Sequence, residues 1–480
     1  MSRVLHFKFN YIPVVSRLFL SHLSRPALSM RMPDTTLAHR QISTVMPPDP
    51  LEEELLPYYN AEHFYHVKTG KIFNDRYQTI AKLGFGGGST VWLARDLNLN
   101  PDAEPGDLDS EPYKVLKFCT CDYLDNDAAR HELEVYKHLS IANPSHNGIQ
   151  YIQTMVDNFE VAGSNGTHIC LVFEPMRETL SIFQSRLKKK RFPLELLKLY
   201  LVCLLNGLEY LHTECGIVHA DLKLDNILVS FEDASVLKEF VQAQRENPMF
   251  QMERDGYSIY QSHNQFGPLR VRLGPFVPII ADFGHAHWID KSQPQINPIQ
   301  PDCYRAPEVI LGTGWGSSAD IWNLGVLLWN MLEGMNTNLF TNINSRDGKY
   351  MARNHLAQMI ALFGPPPTEL LVREHRMRSW NFAPAMENDE NKLCNKAYEF
   401  YNGPFFDSEG GFLYPDLVPR ELKLENTISS LDEEEKHAFL DFVAGSMLCW
   451  DPEKRMTAKE LLRHPWLEGT VLPWQKEEAP

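Results

Sequence analysis

The hydrophobic patterning of this 480-residue chain predicts an α+β protein of two unequal lobes with a cleft between them. Two observations predict it. Residues 77–173 hold short apolar runs separated by glycine-rich and polar turns, the signature of strands. From residue 177 onward, long apolar segments repeat at helical spacing. The apolar share of 43% and charged share of 22% are ordinary for a globular protein that can bury a core of this size.

The elements come in order. Tyr77–Leu83 and Thr90–Ala94 read as strands around a glycine-rich turn, and Tyr113–Cys119 as a third. Asp127–Leu139 reads as a helix with Leu133, Tyr136 and Leu139 on one stripe. Ile169–Phe173 is a buried strand, and Leu194–Glu214 and Ala319–Glu333 are buried helices. Residues 230–278 look like an insertion, a helical stretch Ala234–Gln244 followed by a loop rich in Gln, Asn, Pro and Arg. Residues 335–430 form a second long segment containing Pro365-Pro366-Pro367. Ser430 and Glu433 are placed to form a capping box at the start of a later helix. Residues 1–57, with the proline-rich patch Pro47-Pro48-Asp49-Pro50 near their end, read as a tail.

Charge narrows the class of partner. The formal net charge is −16, yet residues 1–50 carry six Arg or Lys against two Asp, so the remainder carries −20. Such a body disfavours direct nucleic-acid binding and favours basic partners. The first 33 residues contain five Arg or Lys, five Ser and no acid. This composition resembles a mitochondrial presequence, but a disordered basic leader or a start codon placed too far upstream is the reading preferred, because nothing downstream asks for a mitochondrion. No apolar run reaches the length of a membrane span. The eight cysteines form neither a paired framework nor a zinc spacing, and read as reduced thiols.

Several motifs carry chemistry. Leu83-Gly84-Phe85-Gly86-Gly87-Gly88-Ser89-Thr90-Val91 is a turn whose glycines let backbone amides approach phosphate oxygens. Alone it is weak, because Ser89 stands where a third spaced glycine would be expected. It is followed by Val115-Leu116-Lys117. A lysine ending an apolar strand is costly to bury unpaired, so it needs phosphate or a carboxylate from the next helix. Glu132 suits that place and Glu134 is the rival. In His219-Ala220-Asp221-Leu222-Lys223-Leu224-Asp225-Asn226, the first carboxylate can orient a hydroxyl and take its proton. The lysine can neutralise a moving phosphoryl group, and the asparagine can hold a metal. Asp282-Phe283-Gly284 then offers an Mg²⁺ ligand, and Tyr304-Arg305-Ala306-Pro307-Glu308 comes next. Each motif could be a plain loop; their common order is what selects phosphoryl transfer.

From about Tyr77 to Leu467 the chain thus resembles the eukaryotic protein kinases, with later landmarks at Asp320-Ile321-Trp322 and Trp450-Asp451-Pro452-Glu453-Lys454-Arg455. The resemblance implies the bilobal protein-kinase fold, with ATP and Mg²⁺ in the cleft. It implies an N-lobe over 58–173, a hinge at 174–176, a C-lobe over 177–467 and a tail over 468–480. By the same likeness Asp221, Lys223, Lys117 and Glu132 are catalytic. Leu83, Gly84, Gly86, Gly87, Ser89, Val91, Lys117, Glu174 and Met176 would surround the nucleotide, with Asn226 and Asp282 on the metal. Phe173 would close the back pocket, Asp320 buttress the catalytic loop, and Arg455 pair with Glu308. Tyr65–Gly70, Asn74–Tyr77, His355–Pro367 and Gln300–Glu308 resemble SR-protein kinases, the last run those of fungi. Ala220, Phe283 and Ala306-Pro307 depart from that subgroup's Thr, Leu and Ser-Leu, which leaves the substrate open.

The resemblance implies a serine/threonine kinase acting on basic protein substrates, Arg/Ser-rich ones above all, with a role in mRNA processing. A pseudokinase scaffold and a proline-directed or dual-specificity kinase are the competing readings. Acidic docking candidates are Glu387, Asp389, Glu390, Asp407 and Glu409. Kinases switched on by loop phosphorylation usually carry Arg where Ala220 stands, and residues 285–304 offer only Ser292 and Tyr304 as hydroxyls. Constitutive activity is therefore expected. A monomer is expected, cytoplasmic or nuclear or both, with a mitochondrial address as the alternative that the leader leaves open.

Overall fold

A computed structural model describes residues 49–57, 59–98, 112–121, 127–254, 256–271, 275–290, 292–335 and 337–472. The basic leader at 1–48 lies outside the described residues. The first lobe is an antiparallel six-stranded sheet in the order β1-β2-β3-β4-β6-β5. Its strands are β1 (Ile72–Phe73), β2 (Tyr77–Gly86), β3 (Ser89–Asp96), β4 (Tyr113–Cys119), β5 (Met155–Ala162) and β6 (Thr167–Phe173). Helix α1 (Asp127–Ile141) covers one face. Side chains alternate across a strand, so Val115 and Cys119 join Val135, Tyr136 and Leu139 of α1 in one core. Leu116 and Phe118 face the other way, against Val67, Phe73, Trp92 and Tyr260. With both faces covered, β6 is a continuous buried run, whereas the edge strand β5 alternates and escaped the sequence reading.

The second lobe continues through β7 (Glu178–Thr179), α2 (Leu180–Arg186), α3 (Leu194–Glu209), β8 (Ile217–Val218) and β9 (Ile227–Val229). A wide helical turn over Tyr210–Cys215 extends α3 and ends on left-handed Gly216 (φ 64°). The insertion comes next with α4 (Ala234–Glu246), β10 (Gln251–Arg254) and β11 (Tyr257–Tyr260). Beyond it lie β12 (Pro278–Ile280), β13 (His287–Trp288), α5 (Pro307–Leu311), α6 (Ser318–Glu333), α7 (Ala352–Phe363) and α8 (Thr368–Met377). Helix α6 is buried from Ala319 to Glu333 because the other elements of the lobe pack around it. The Arg455 guanidinium clamps both oxygens of Glu308 at 2.6 Å, and both side chains are fully buried.

Four expectations change. The insertion is not a loop after its helix: Met252 and Ile259 pair across a β10–β11 hairpin, and Tyr260 and Met249 pack onto the first lobe. Residues 49–57 do not belong to a tail, because Glu53 pairs with buried Lys82 and Glu54 with Arg254. The end segment is held at least to Leu472, which is buried against Tyr151 and Cys203. The helix Glu433–Ser446 is capped by Asp432, whose Oδ1 accepts from the Glu435 amide at 3.0 Å. Ser430 instead gives its amide to Glu333 (2.9 Å), so the expected Ser430–Glu433 box does not form. Cys119 ends β4 and Cys121 lies beyond it, its sulfur 3.3 Å from His168 Nε2. All eight cysteines carry free thiols.

Removing one partner from a buried pair strands the other charge, which costs about 3–5 kcal/mol. Arg455→Met should therefore lower the unfolding free energy by a margin of that order, read as a fall in the denaturant midpoint at unchanged slope. An unchanged midpoint would show that the pair is no more than a neutral fill.

Candidate active site

The site forms where the two lobes meet. Lys117 lies on the α1 side of β4, and its ammonium donates to Glu132 Oε1 at 2.6 Å and to Asp282 Oδ1 at 3.0 Å. Glu132 is buried on the sheet-facing stripe of α1. The rival Glu134 is exposed and pairs with Lys137 at 2.9 Å. Burial alone would lower the Lys117 pKa, but the carboxylates of Asp282 and Glu132 outweigh it and hold the group well above its ordinary value. Lys117 in turn holds the Asp282 carboxyl well below the usual carboxylate range.

The Asp282-Phe283-Gly284 turn is fixed from behind. Phe283 is fully buried, edge-on to Tyr136 of α1 (ring centroids 5.4 Å) and near His219 (5.1 Å). His131 of α1 lies 2.7 Å from the Ala286 carbonyl. Tyr136 also meets Phe173 at the end of β6 (4.8 Å). Helix α1, the turn and the back of the cleft thus form one packed unit.

The catalytic loop hangs on Asp320, at the start of α6. Its carboxylate accepts the amides of His219 (2.8 Å) and Ala220 (3.0 Å) and lies 2.9 Å from His212 Nε2. This holds Ala220 in the left-handed region (φ 63°), a conformation costly for a residue with a Cβ and characteristic of functional turns. Asp282 adopts the same φ of 63°. Asp221, 3% exposed, accepts from Lys223 Nζ at 2.7 Å and Asn226 Nδ2 at 2.8 Å, both on Oδ2. Its Oδ1 is buried and accepts from none of the described residues, leaving an oxygen ready for a hydroxyl. The Ala281 amide donates to the Asn226 carbonyl at 2.9 Å and locks this loop to the Asp282 strand.

Strands β2 and β3 pair up to Gly86 and Ser89, turning at Gly87 and Gly88. A Cβ added at Gly84, Gly86, Gly87 or Gly88 would meet nothing within 4 Å. That open cradle, the orphan oxygen of Asp221 and the 44%-exposed Asp282 carboxylate together suit a nucleotide triphosphate and its divalent cation. Leu83 and Val91 are half-buried beside the turn. At the hinge, Lys114 grips the exposed Glu174 carboxylate at 2.8 and 3.0 Å, and Met176 is half-buried.

The segment after the Asp282 turn is held by two side chains whose part the sequence did not disclose. Gln300 (φ 69°) is fully buried, accepting from the Ala306 amide and donating to the Ala319 carbonyl, each at 2.8 Å. Arg305 is buried, pairs with Asp302 at 2.9 Å, donates to the Gln300 carbonyl at 2.8 Å and lies over the Tyr350 ring. Nothing in local composition marks these two, since their burial depends on Ala319 and Tyr350, which lie outside the segment. Tyr304 donates its hydroxyl to Asn330 at 2.7 Å from a buried position, so it offers no free acceptor for modification.

The protein kinase domain family matches residues 77–245 and 276–467, and the chain belongs to that family. It is a serine/threonine protein kinase related to the SR-protein kinases. A serine/threonine protein kinase of Aspergillus fumigatus is 34% identical over 87% of this chain and 91% of its own length. The kinase SRPK of Physarum polycephalum is 27% identical over the same shares. Protein kinase dsk1 of Schizosaccharomyces pombe is 25% identical over 88% of this chain and 85% of its own. A crystallised kinase domain superposes with TM-score 0.56 at 24% identity, over 85% of this chain and all of that one. It supports the fold. Among the described residues no helix is long and apolar enough to cross a membrane. The gap in the family match, 246–275, spans the insertion hairpin.

Cys303 stands half-buried in the activation segment, and the protein packed around its sulfur, with Asp302 adding, pushes its thiol up to about 12. Little thiolate then exists near neutral pH. Iodoacetamide at pH 7.5 should leave Cys303 unmodified in the native chain and modify it after unfolding in urea. Rapid native alkylation would contradict the raised thiol.

Proposed function

We propose that Asp221 is the base that orients a serine or threonine hydroxyl of a protein substrate and accepts its proton. The observation that carries this is the convergence of Lys223 and Asn226 on Oδ2 of Asp221 while Oδ1 has no partner among the described residues. Lys223 neutralises charge gathering on the transferred group beside the base. Lys117, held by Glu132, anchors phosphate oxygens under the glycine-rich turn of Leu83, Gly84, Gly86, Gly87, Ser89 and Val91. The Glu174 carbonyl and Met176 amide hold adenine; Pro175 between them has no N–H to offer. Asp282 and Asn226 would hold Mg²⁺, which when bound with ATP shields the phosphates and brings the group to be transferred.

The substrate reading is a basic protein segment, Arg/Ser-rich, in keeping with the −16 charge and the SR-protein-kinase relation. Asp389, Glu390, Asp407 and Glu409 are exposed on the second lobe and Glu387 half-buried. Asp389 lies close enough to Asp302 and Arg305 to feel their charges, which sets this acidic region beside the activation segment. Asp407 partly spends its charge on its own turn, accepting from the Glu409 and Gly411 amides at 2.9 and 2.8 Å. A role in mRNA processing and a cytoplasmic or nuclear location belong to the same reading. The enzyme is built to be on: Ala220 has no side chain to receive a phosphate, and Gln300 and Arg305 pin the segment with the protein's own groups.

With Mg·ATP and a peptide array, Arg-Ser repeats should be phosphorylated in preference to Ser-Pro sites, and Asp221→Ala should lower the rate at least about 100-fold. Equal rates from wild type and Asp221→Ala would refute the assignment, and preference for Ser-Pro would refute the basic substrate. Phosphatase treatment of the purified enzyme should leave its rate within about twofold. A drop of about tenfold or more would show that a phosphate, rather than Gln300 and Arg305, holds the segment.

A further inference from the structure

Lys82 ends the straight part of β2, immediately before the glycine-rich turn, and is 1% exposed. A lysine there on an ordinary sheet edge would reach into water. Here two segments outside the family-matched body close over it. From residues 49–57, Glu53 pairs with its ammonium and Glu52 lies 3.7 Å away. From the insertion, the Tyr260 carbonyl accepts from the same ammonium at 3.1 Å. The insertion also holds the Lys82 backbone on both sides. The amide lies 3.2 Å from Met249 Sδ, and the carbonyl accepts from the His263 amide at 2.8 Å.

The two segments are themselves joined. Arg254 donates to Glu54 (2.9 Å) and to the Asp49 carbonyl (2.8 Å), and Ser262 to Glu52 (2.6 Å). The foot of the insertion is anchored in the other lobe, where buried Arg177 pairs with Glu232 at 3.2 Å and donates to the Gly267 carbonyl at 2.8 Å. What Lys82 touches in turn is the nucleotide-covering turn: its ammonium lies 5.2 Å from the ring centroid of Phe85, between Gly84 and Gly86. The β2–β3 register slips between Lys82 and Gly84, so the direction of the turn is set at this residue.

We infer that Lys82, held by Glu53 and the insertion, is a positioning residue that fixes the glycine-rich turn over the nucleotide phosphates and so sets affinity for ATP. The inference rests on the proposed nucleotide site and adds to it a device supplied by the two segments outside the matched body. Lys82 touches no reacting atom; it acts through Phe85 and the backbone of the turn. A turn held in its closed direction loses less freedom when phosphate binds, so the gain falls on the phosphate contacts and not on adenine.

The test uses the full chain and calorimetric titration with Mg·ATP and, separately, with adenosine. Glu53→Gln keeps the shape and removes the charge. It should weaken Mg·ATP about fivefold to tenfold while leaving adenosine within about twofold, and raise the KM for ATP with kcat little changed. Lys82→Met should match it. Lys82→Arg should recover most of the Mg·ATP affinity, which loss of folding would not allow. If Glu53→Gln is folded and binds Mg·ATP like wild type, the inference is overturned. Equal weakening of ATP and adenosine also overturns it, because that reports a general loosening of the lobe. Failure of the wild-type chain to bind Mg·ATP overturns the nucleotide site itself, a result distinct from both.

Discussion

The ammonium of Lys117 is the constraint on which the rest of the site depends. It sits on an apolar strand, largely shielded from water at the mouth of the cleft, where an unpaired charge is costly. Two carboxylates from different parts of the chain must come to it, Glu132 from α1 and Asp282 from the strand after the catalytic loop. Meeting that need fixes the rotation of α1 against the sheet. It also sets the Asp282-Phe283-Gly284 turn with its phenyl ring buried and its carboxylate forward. One electrostatic requirement thereby aligns both lobes.

The second lobe answers with a similar economy of anchors. Asp320 takes two successive amides of the catalytic loop and so holds a strained alanine where a relaxed loop would let Asp221 swing. Glu308 and Arg455 tie the end of the activation segment to the far side of the lobe. Gln300 and Arg305, both buried, hold the activation segment with hydrogen bonds and an ion pair from within the fold. The additions to the family body share this character. The acidic turn at Glu52–Leu55 and the β10–β11 hairpin cover the sheet face that α1 leaves open and converge on Lys82.

Much of the site was legible in the residues. The glycine-rich turn, Lys117, Glu132, Asp221, Asn226 and Asp282 were readable because each is a local motif and their order is itself information. The structure brings Lys117, Glu132 and Asp282 together, and separately Asp221, Lys223 and Asn226, as that order implied. Features that depend on distant partners were not legible. Glu52, Glu53 and Glu54 looked like part of a polar tail because Lys82 and Arg254 lie far off in sequence. The insertion hairpin was hidden because its strands are only four residues each, short enough to pass for loop. Gln300 carries no local signal of being buried. The Ser430–Glu433 box failed because Asp432 is the better-placed cap and Glu333 claims the serine amides.

The organisation of the site requires that Glu132 act through Lys117 and in no other way. The most direct measurement is the affinity for Mg·ATP of Glu132→Gln, Lys117→Met and the double variant, each checked for folding. If the carboxylate serves only to hold the ammonium, the double variant binds no more weakly than Lys117→Met alone. If the two losses add, Glu132 contributes independently, and the charge triad is not the organising interaction of this site.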